Sequence, residues 1–113
     1  MVRDEFTRSL QGDVVVIHAP CELDLANADQ LRAFCTAGLD ASGKCMVVDL
    51  TGTSFIDSTA LAVFVALSKR ARADGGWLRL VTAESSAVKK ILKVTALDTR
   101  LGNYSSIEAA ITG

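Results

Sequence analysis

Apolar positions in this chain recur with two different periods, and the switches between them mark the elements. Phe6 to Leu10 and Asp13 to Ala19 read as two β-type runs joined through Gln11 and Gly12, a connection of hairpin length. The second run is almost continuously apolar, which suits a strand buried on both faces, so it belongs inside a sheet with the first run as its edge; Pro20 ends it. Ala28, Leu31, Phe34, Cys35 and Leu39 then fall on one face at helical spacing, with Asp29, Arg32 and Thr36 opposite. That pattern predicts an amphipathic helix to about Leu39, capped by Asp24 or Asn27. Gly38, Asp40, Ser42 and Gly43 release the chain into Met46 to Leu50, a run too short for a helix and fit for a central strand.

The segment that follows organises the rest. Thr51, Gly52, Thr53 and Ser54 break the strand, and Asp57, Ser58 and Thr59 stand directly ahead of a long helix-compatible stretch. Such side chains satisfy the orphan N–H groups of a first helical turn, which puts Ser58 at a helix N-terminus facing solvent. Ala60 to Leu67 is apolar at every position. A helix apolar all round is either enclosed or shows apolar surface to a partner; in a chain this short enclosure is hard to arrange, so exposed apolar helix surface is expected beside Ser58. Lys69, Arg70 and Arg72 suit the negative end of the helix dipole, and Gly75 and Gly76 supply the stop.

Trp77 to Val81 alternates, Leu78 and Leu80 on one face, Trp77, Arg79 and Val81 on the other, and Arg79 argues for a strand nearer the edge. Ser85 or Ser86 caps a short helix with Val88, Ile91 and Leu92 inward and a solvated stripe of Lys89, Lys90 and Lys93. Leu97 to Tyr104 suggests a short last strand around Arg100 and Leu101, then a turn at Gly102 and Asn103, and Ser105 to Glu108 reads as a capping box for a final helix through Ile111. Strand-helix alternation predicts an α/β class fold: one domain over residues 1–113, a mixed sheet with an N-terminal antiparallel hairpin, parallel pairs joined by right-handed crossovers, and about four flanking helices. Two loops lie where strands end and helices begin, the usual place for function in such sheets: Cys21 to Asp24 and Thr51 to Ser58.

Composition narrows the function classes. With 113 residues and half of them hydrophobic, the chain fills a single core. A net charge of −1 argues against a general nucleic-acid binder. MVRDEFTRSL lacks the apolar stretch of a secretory signal, and no run approaches the roughly 20 residues of a bilayer span, so a soluble cytoplasmic protein that does not engage membranes is expected. Cys21, Cys35 and Cys45 are odd in number and lack metal-ligand spacing, which points to reduced thiols, not a disulfide framework or a zinc site. His18 has no catalytic partner nearby in sequence and reads as structural or exposed. No phosphate-binding loop, dinucleotide fingerprint, metalloprotease motif or nucleophile elbow is present, so an enzyme, a cofactor and a metal are not expected.

What remains is the pair of loops. CELD at 21–24 and VVDLTGTSFIDSTAL at 47–61, followed by GGWLRLV and SSAVKKIL, resemble the STAS domain family over nearly the whole chain, and within it the small bacterial anti-sigma factor antagonists. The resemblance implies a protein that binds a serine-kinase-type anti-sigma factor, frees the sigma factor, and is inactivated by phosphorylation of the hydroxyl matching Ser58, with a serine phosphatase to reverse it. It implies Ser58 as phosphoacceptor and Glu22, Asp24, Thr53, Ile56, Asp57, Thr59 and Leu61 as the partner-binding patch. Two positions depart from the family pattern: Cys21 and Ala60 stand where glycines are common. Cys21 would stiffen its turn, and Ala60 would favour the helix while adding a methyl where a kinase backbone would approach. A constitutive interaction module that never cycles through phosphorylation, and a nucleotide-sensing domain, are the alternatives.

Overall fold

The computed structural model describes residues 5–42 and 44–113, with the side chain of Ser42 not described. Its main sheet holds five strands: β1 (Thr7–Gln11), β2 (Val14–His18), β4 (Cys45–Asp49), β6 (Trp77–Val81) and β7 (Asn103–Tyr104), in the spatial order β1-β2-β4-β6-β7. A second, two-stranded sheet pairs β3 (Glu22–Leu23) with β5 (Phe55–Ile56). Among the described residues only the β1–β2 pair is antiparallel, its turn passing through Gly12 at φ 63°, a conformation glycine adopts without steric cost. All other pairs run parallel.

Among the described residues five helices flank these strands: α1 (Ala28–Ser42), α2 (Ser58–Ala73), α3 (Ala87–Val94), α4 (Leu97–Leu101) and α5 (Ile107–Thr112). The strand alternation sorts the core into two parts. Val15, Ile17, Met46, Val48, Leu78 and Leu80 face the main core with Leu31, Cys35, Phe64, Leu67 and Leu92. Val16, Val47 and Val81 form a smaller cluster with Ala110 of α5 on the opposite face. Gly38 lets α1 lie close on the sheet, since a Cβ there would stand 3.1 Å from the Met46 side chain and 3.2 Å from that of Val15. Gly43, expected in the exit from α1, lies outside the described residues.

Four expectations change. The all-apolar start of α2 is largely enclosed: it packs between α1, β6 and α4, Ala60, Leu61, Val63, Phe64 and Leu67 are buried, Val65 is half-buried, and the small Ala62 and Ala66 are exposed. The stretch expected as a strand at Arg100 and Leu101 is the helix α4, because Leu97 and Leu101, four residues apart, both turn into the core. Gly102 at φ 72° then redirects the chain into β7, where a turn was expected. The last cap is also displaced by one residue, since Ser106 and not Ser105 accepts the Ala109 amide at 3.0 Å.

Candidate functional site

The loop after β2 and the loop after β4 are stitched together by the small sheet. The Cys21 carbonyl accepts the Ser54 amide at 2.7 Å, and the Leu23 carbonyl accepts the Asp57 amide at 3.1 Å. Thr53, only 3 % exposed, donates its hydroxyl to the Pro20 carbonyl at 2.8 Å, an anchor between the two loops from beneath. Each β3 or β5 residue pair splits one side chain in and one out: Leu23 and Ile56 are buried, Glu22 and Phe55 exposed.

Asp57 is the residue of the Asp57-Ser58-Thr59 trio that caps α2. Its backbone is extended, and one carboxylate oxygen accepts the Ala60 amide at 3.1 Å. The other accepts the Leu25 amide at 3.0 Å, so a single side chain ties the helix start to the opposite loop. That loop holds itself in shape: Asp24 accepts the Ala26 amide, Asn27 accepts the Asp24 amide, and Asn27 donates to the Glu22 carbonyl. Asn27 then passes its carbonyl to the Leu31 amide at the start of α1.

Ser58 is therefore the first residue of α2, exposed, with its hydroxyl at the positive end of the helix dipole. Thr59 is half-buried beside it. Of the predicted patch, Glu22 is exposed, Asp24 and Asp57 are partly so, and Thr53, Ile56 and Leu61 are buried beneath the surface, the last at 9 % exposure. The structure thus brings all these residues to one end of the molecule while giving the three buried ones a supporting position. Sequence reasoning missed Leu25 and Phe55, which are 77 % and 48 % exposed on the two loops; the Leu25 amide bonds Asp57, and Phe55 stands three residues before Ser58. They are the apolar surface that had been sought on α2. The available signal was that each is a large apolar residue directly after a polar turn residue, Leu25 after Asp24 and Phe55 after Ser54.

Residues 21–27 and 51–59 carry Glu22, Asp24 and Asp57 and no lysine or arginine, so the site is locally acidic apart from the helix dipole. Neither departure from glycine is strained: Cys21 is not among the positive-φ residues, and Ala60 is fully buried, which turns its methyl into the core and away from any approaching backbone. Cys21 is an exposed free thiol, whereas burial pushes the Cys35 thiol up to about 12. His18 Nδ1 lies 2.9 Å from Asp49 Oδ2, and Asp49 also accepts the Thr51 amide and hydroxyl, a network that holds the exit from β4. Among the described residues no cluster of His, Cys, Asp and Glu is suited to a metal ion, and no helix is long and apolar enough to cross a membrane.

Comparison with known proteins gives a consistent set of matches. The STAS domain family model matches residues 7–110. A Mycobacterium tuberculosis protein named as an anti-anti-sigma factor is 33 % identical over 103 residues, spanning 88 % of this chain and 68 % of that protein. The crystal structure of a Thermotoga maritima protein described as an anti-sigma factor antagonist superposes with a TM-score of 0.83 at 26 % identity, covering 95 % of this chain and 92 % of that one. The phosphorylated form of the Bacillus cell-fate determinant SpoIIAA shares the fold with a TM-score of 0.71 at 20 % identity, over 96 % of this chain and 97 % of that one.

Proposed function

This chain belongs to the STAS domain family, among the anti-sigma factor antagonists, and from that premise we propose that its Ser58 surface docks a serine-kinase-type anti-sigma factor and is switched off by phosphorylation of Ser58. The observation that carries the reading is the position of Ser58: an exposed hydroxyl at the first turn of a long helix, next to Asp57, which ties it to the loop of Asp24 and the exposed Leu25, with the exposed Phe55 three residues before it. Leu25 and Phe55 supply apolar contact area, Glu22, Asp24 and Thr59 the polar rim, and buried Thr53, Ile56 and Leu61 fix the two loops under them. That SpoIIAA has been solved in a phosphorylated form on the same fold supports the switch.

The physics of the switch is a competition. A phosphate adds about −1.5 to −2 charges at neutral pH. The helix N-terminus offsets part of that, by about 0.3–1 kcal/mol per charge. Against this stand the neighbouring Asp57 and Asp24 carboxylates and the cost of desolvating an unpaired charge under a partner, several kcal/mol. Repulsion prevails, and binding falls until a serine phosphatase removes the group.

Incubation with a kinase-type anti-sigma factor and ATP, followed by mass spectrometry, tests the acceptor. Phosphate on Ser58, lost in Ser58→Ala, is the expected result. Stable binding with no phosphate incorporated would instead identify a constitutive interaction module, and phosphate on Thr59 alone would move the acceptor.

A further inference from the structure

Among the described residues four large hydrophobic side chains are exposed, and three of them, Leu25, Phe55 and Val94, fall on one layer of the molecule. That layer is the small sheet with α3 beside it. β3 pairs with β5 and α3 packs against β5, so β5 lies in the middle. Leu23 and Ile56 of the strands and Val88 and Leu92 of the helix all point into the same main core. The faces opposite them therefore form one outer surface. Alternation turns Glu22 and Phe55 outward on the strands, and helical spacing turns Lys90, Lys93 and Val94 outward on α3, all of them exposed.

Charge divides this surface. The β3 side carries Glu22 and Asp24 with no lysine or arginine between residues 21 and 27, whereas α3 carries Lys89, Lys90 and Lys93. Lys89 pairs with Glu84, and among the described residues Lys90 and Lys93 have no carboxylate partner. Beside these lysines the surface dips into a groove of about 500 Å³. Acid at one end, an aromatic ring in the middle and lysines at the other end make a surface complementary to itself under a half-turn. A twofold axis through Phe55 lays Glu22 and Asp24 of one copy against Lys90 and Lys93 of the other, twice over, and brings the Asp24-Leu25 turn to the groove. A surface of one sign would repel its own copy.

We propose that this layer is an isologous interface with a second copy of the chain. Leu25, Phe55 and Val94 supply the apolar contact, and the divided charge sets the orientation, since exposed ion pairs contribute little affinity each. The interface covers the loops around Ser58, so self-association and the docking of any other protein there exclude each other. The inference stands whichever protein docks at Ser58.

Sedimentation velocity of the full chain over a concentration series should show a monomer–dimer equilibrium with Kd below about 1 mM at low salt. Glu22→Lys and Lys90→Glu change exposed side chains, so each variant keeps its fold by circular dichroism. Each should weaken the dimer by about tenfold or more, because the twofold axis makes every reversal felt twice. Mixed in equal amounts, the two variants should associate with each other to within a few-fold of the wild type, since each then meets its opposite charge. Rescue of this kind separates a true interface from damage to the fold. Val94→Ser should weaken the dimer without salt dependence of its own. A chain that stays monomeric at about 1 mM, affinity unaltered in Glu22→Lys and Lys90→Glu, or a mixture that fails to associate would overturn the proposal.

Discussion

Replacing Asp57 by alanine should loosen both loops of the Ser58 surface at once, because its two carboxylate oxygens serve two different segments. One caps α2 through the Ala60 amide and the other holds the Leu25 amide. Loss of an N-cap side chain costs about 0.5–2 kcal/mol. The Leu25 bond adds about 0.5–1.5 kcal/mol at most, and it is solvent-exposed, which favours the lower half of that range. The sum is about 1–3 kcal/mol, and for a domain of this size about 4 °C of melting temperature per kcal/mol gives a fall of about 4–12 °C. Asp57→Asn separates the two contributions: its amide oxygen still caps the helix, but its NH2 group cannot accept from Leu25, so about half the loss is expected. Thermal unfolding supplies the totals and amide hydrogen exchange the locations. Leu25 should lose protection in both variants, Ala60 chiefly in the alanine variant. A fall below about 2 °C in Asp57→Ala, or unchanged exchange at Leu25, would refute the claim that this side chain couples the loops.

Other expectations follow from single contacts. Thr53→Val removes the hydroxyl donor to the buried Pro20 carbonyl and should cost about 1–3 kcal/mol in urea unfolding, with Thr53→Ser restoring most of it. Gly76→Ala places a Cβ 2.0 Å from the Lys44 carbonyl oxygen, a backbone atom that cannot swing aside, and should destabilise by about 2 kcal/mol or more in the same assay. A thiol reagent at neutral pH should label exposed Cys21 at once and fully buried Cys35 only on unfolding. The Cys35 thiol rises from 9.0 unfolded to about 12 in the fold, so the unfolded chain loses its proton first. Stability is therefore intact below pH 9.0 and declines as pH climbs toward about 12, a slope that Cys35→Ala should abolish.

The sheet was legible where burial leaves a long pattern. β2, β4 and β6 are apolar runs of strand length, and α1 buries the face its spacing marks out. β3 and β5 were not, because two residues carry no measurable period; their pairing is set by backbone bonds between loops more than 30 positions apart. α4 was misread because five residues with leucines at both ends fit a strand and a helical turn alike, and only the covering core decides. In the site, the Asp57-Ser58-Thr59 trio announced a helix start, but which member caps it depends on the extended backbone at Asp57. The apolar part of the surface was assigned to α2 because sequence cannot show that neighbouring helices bury it. Leu25 and Phe55 became visible once the loops were assembled.

The most direct test of the proposed Ser58 switch is the affinity of this protein for a kinase-type anti-sigma factor before and after a charge is placed at that one position. Isothermal titration of wild type, Ser58→Ala and Ser58→Asp should show alanine binding within a few-fold of wild type and aspartate weaker by about 100-fold, near 2.7 kcal/mol. Equal affinity for wild type and Ser58→Asp would contradict the switch.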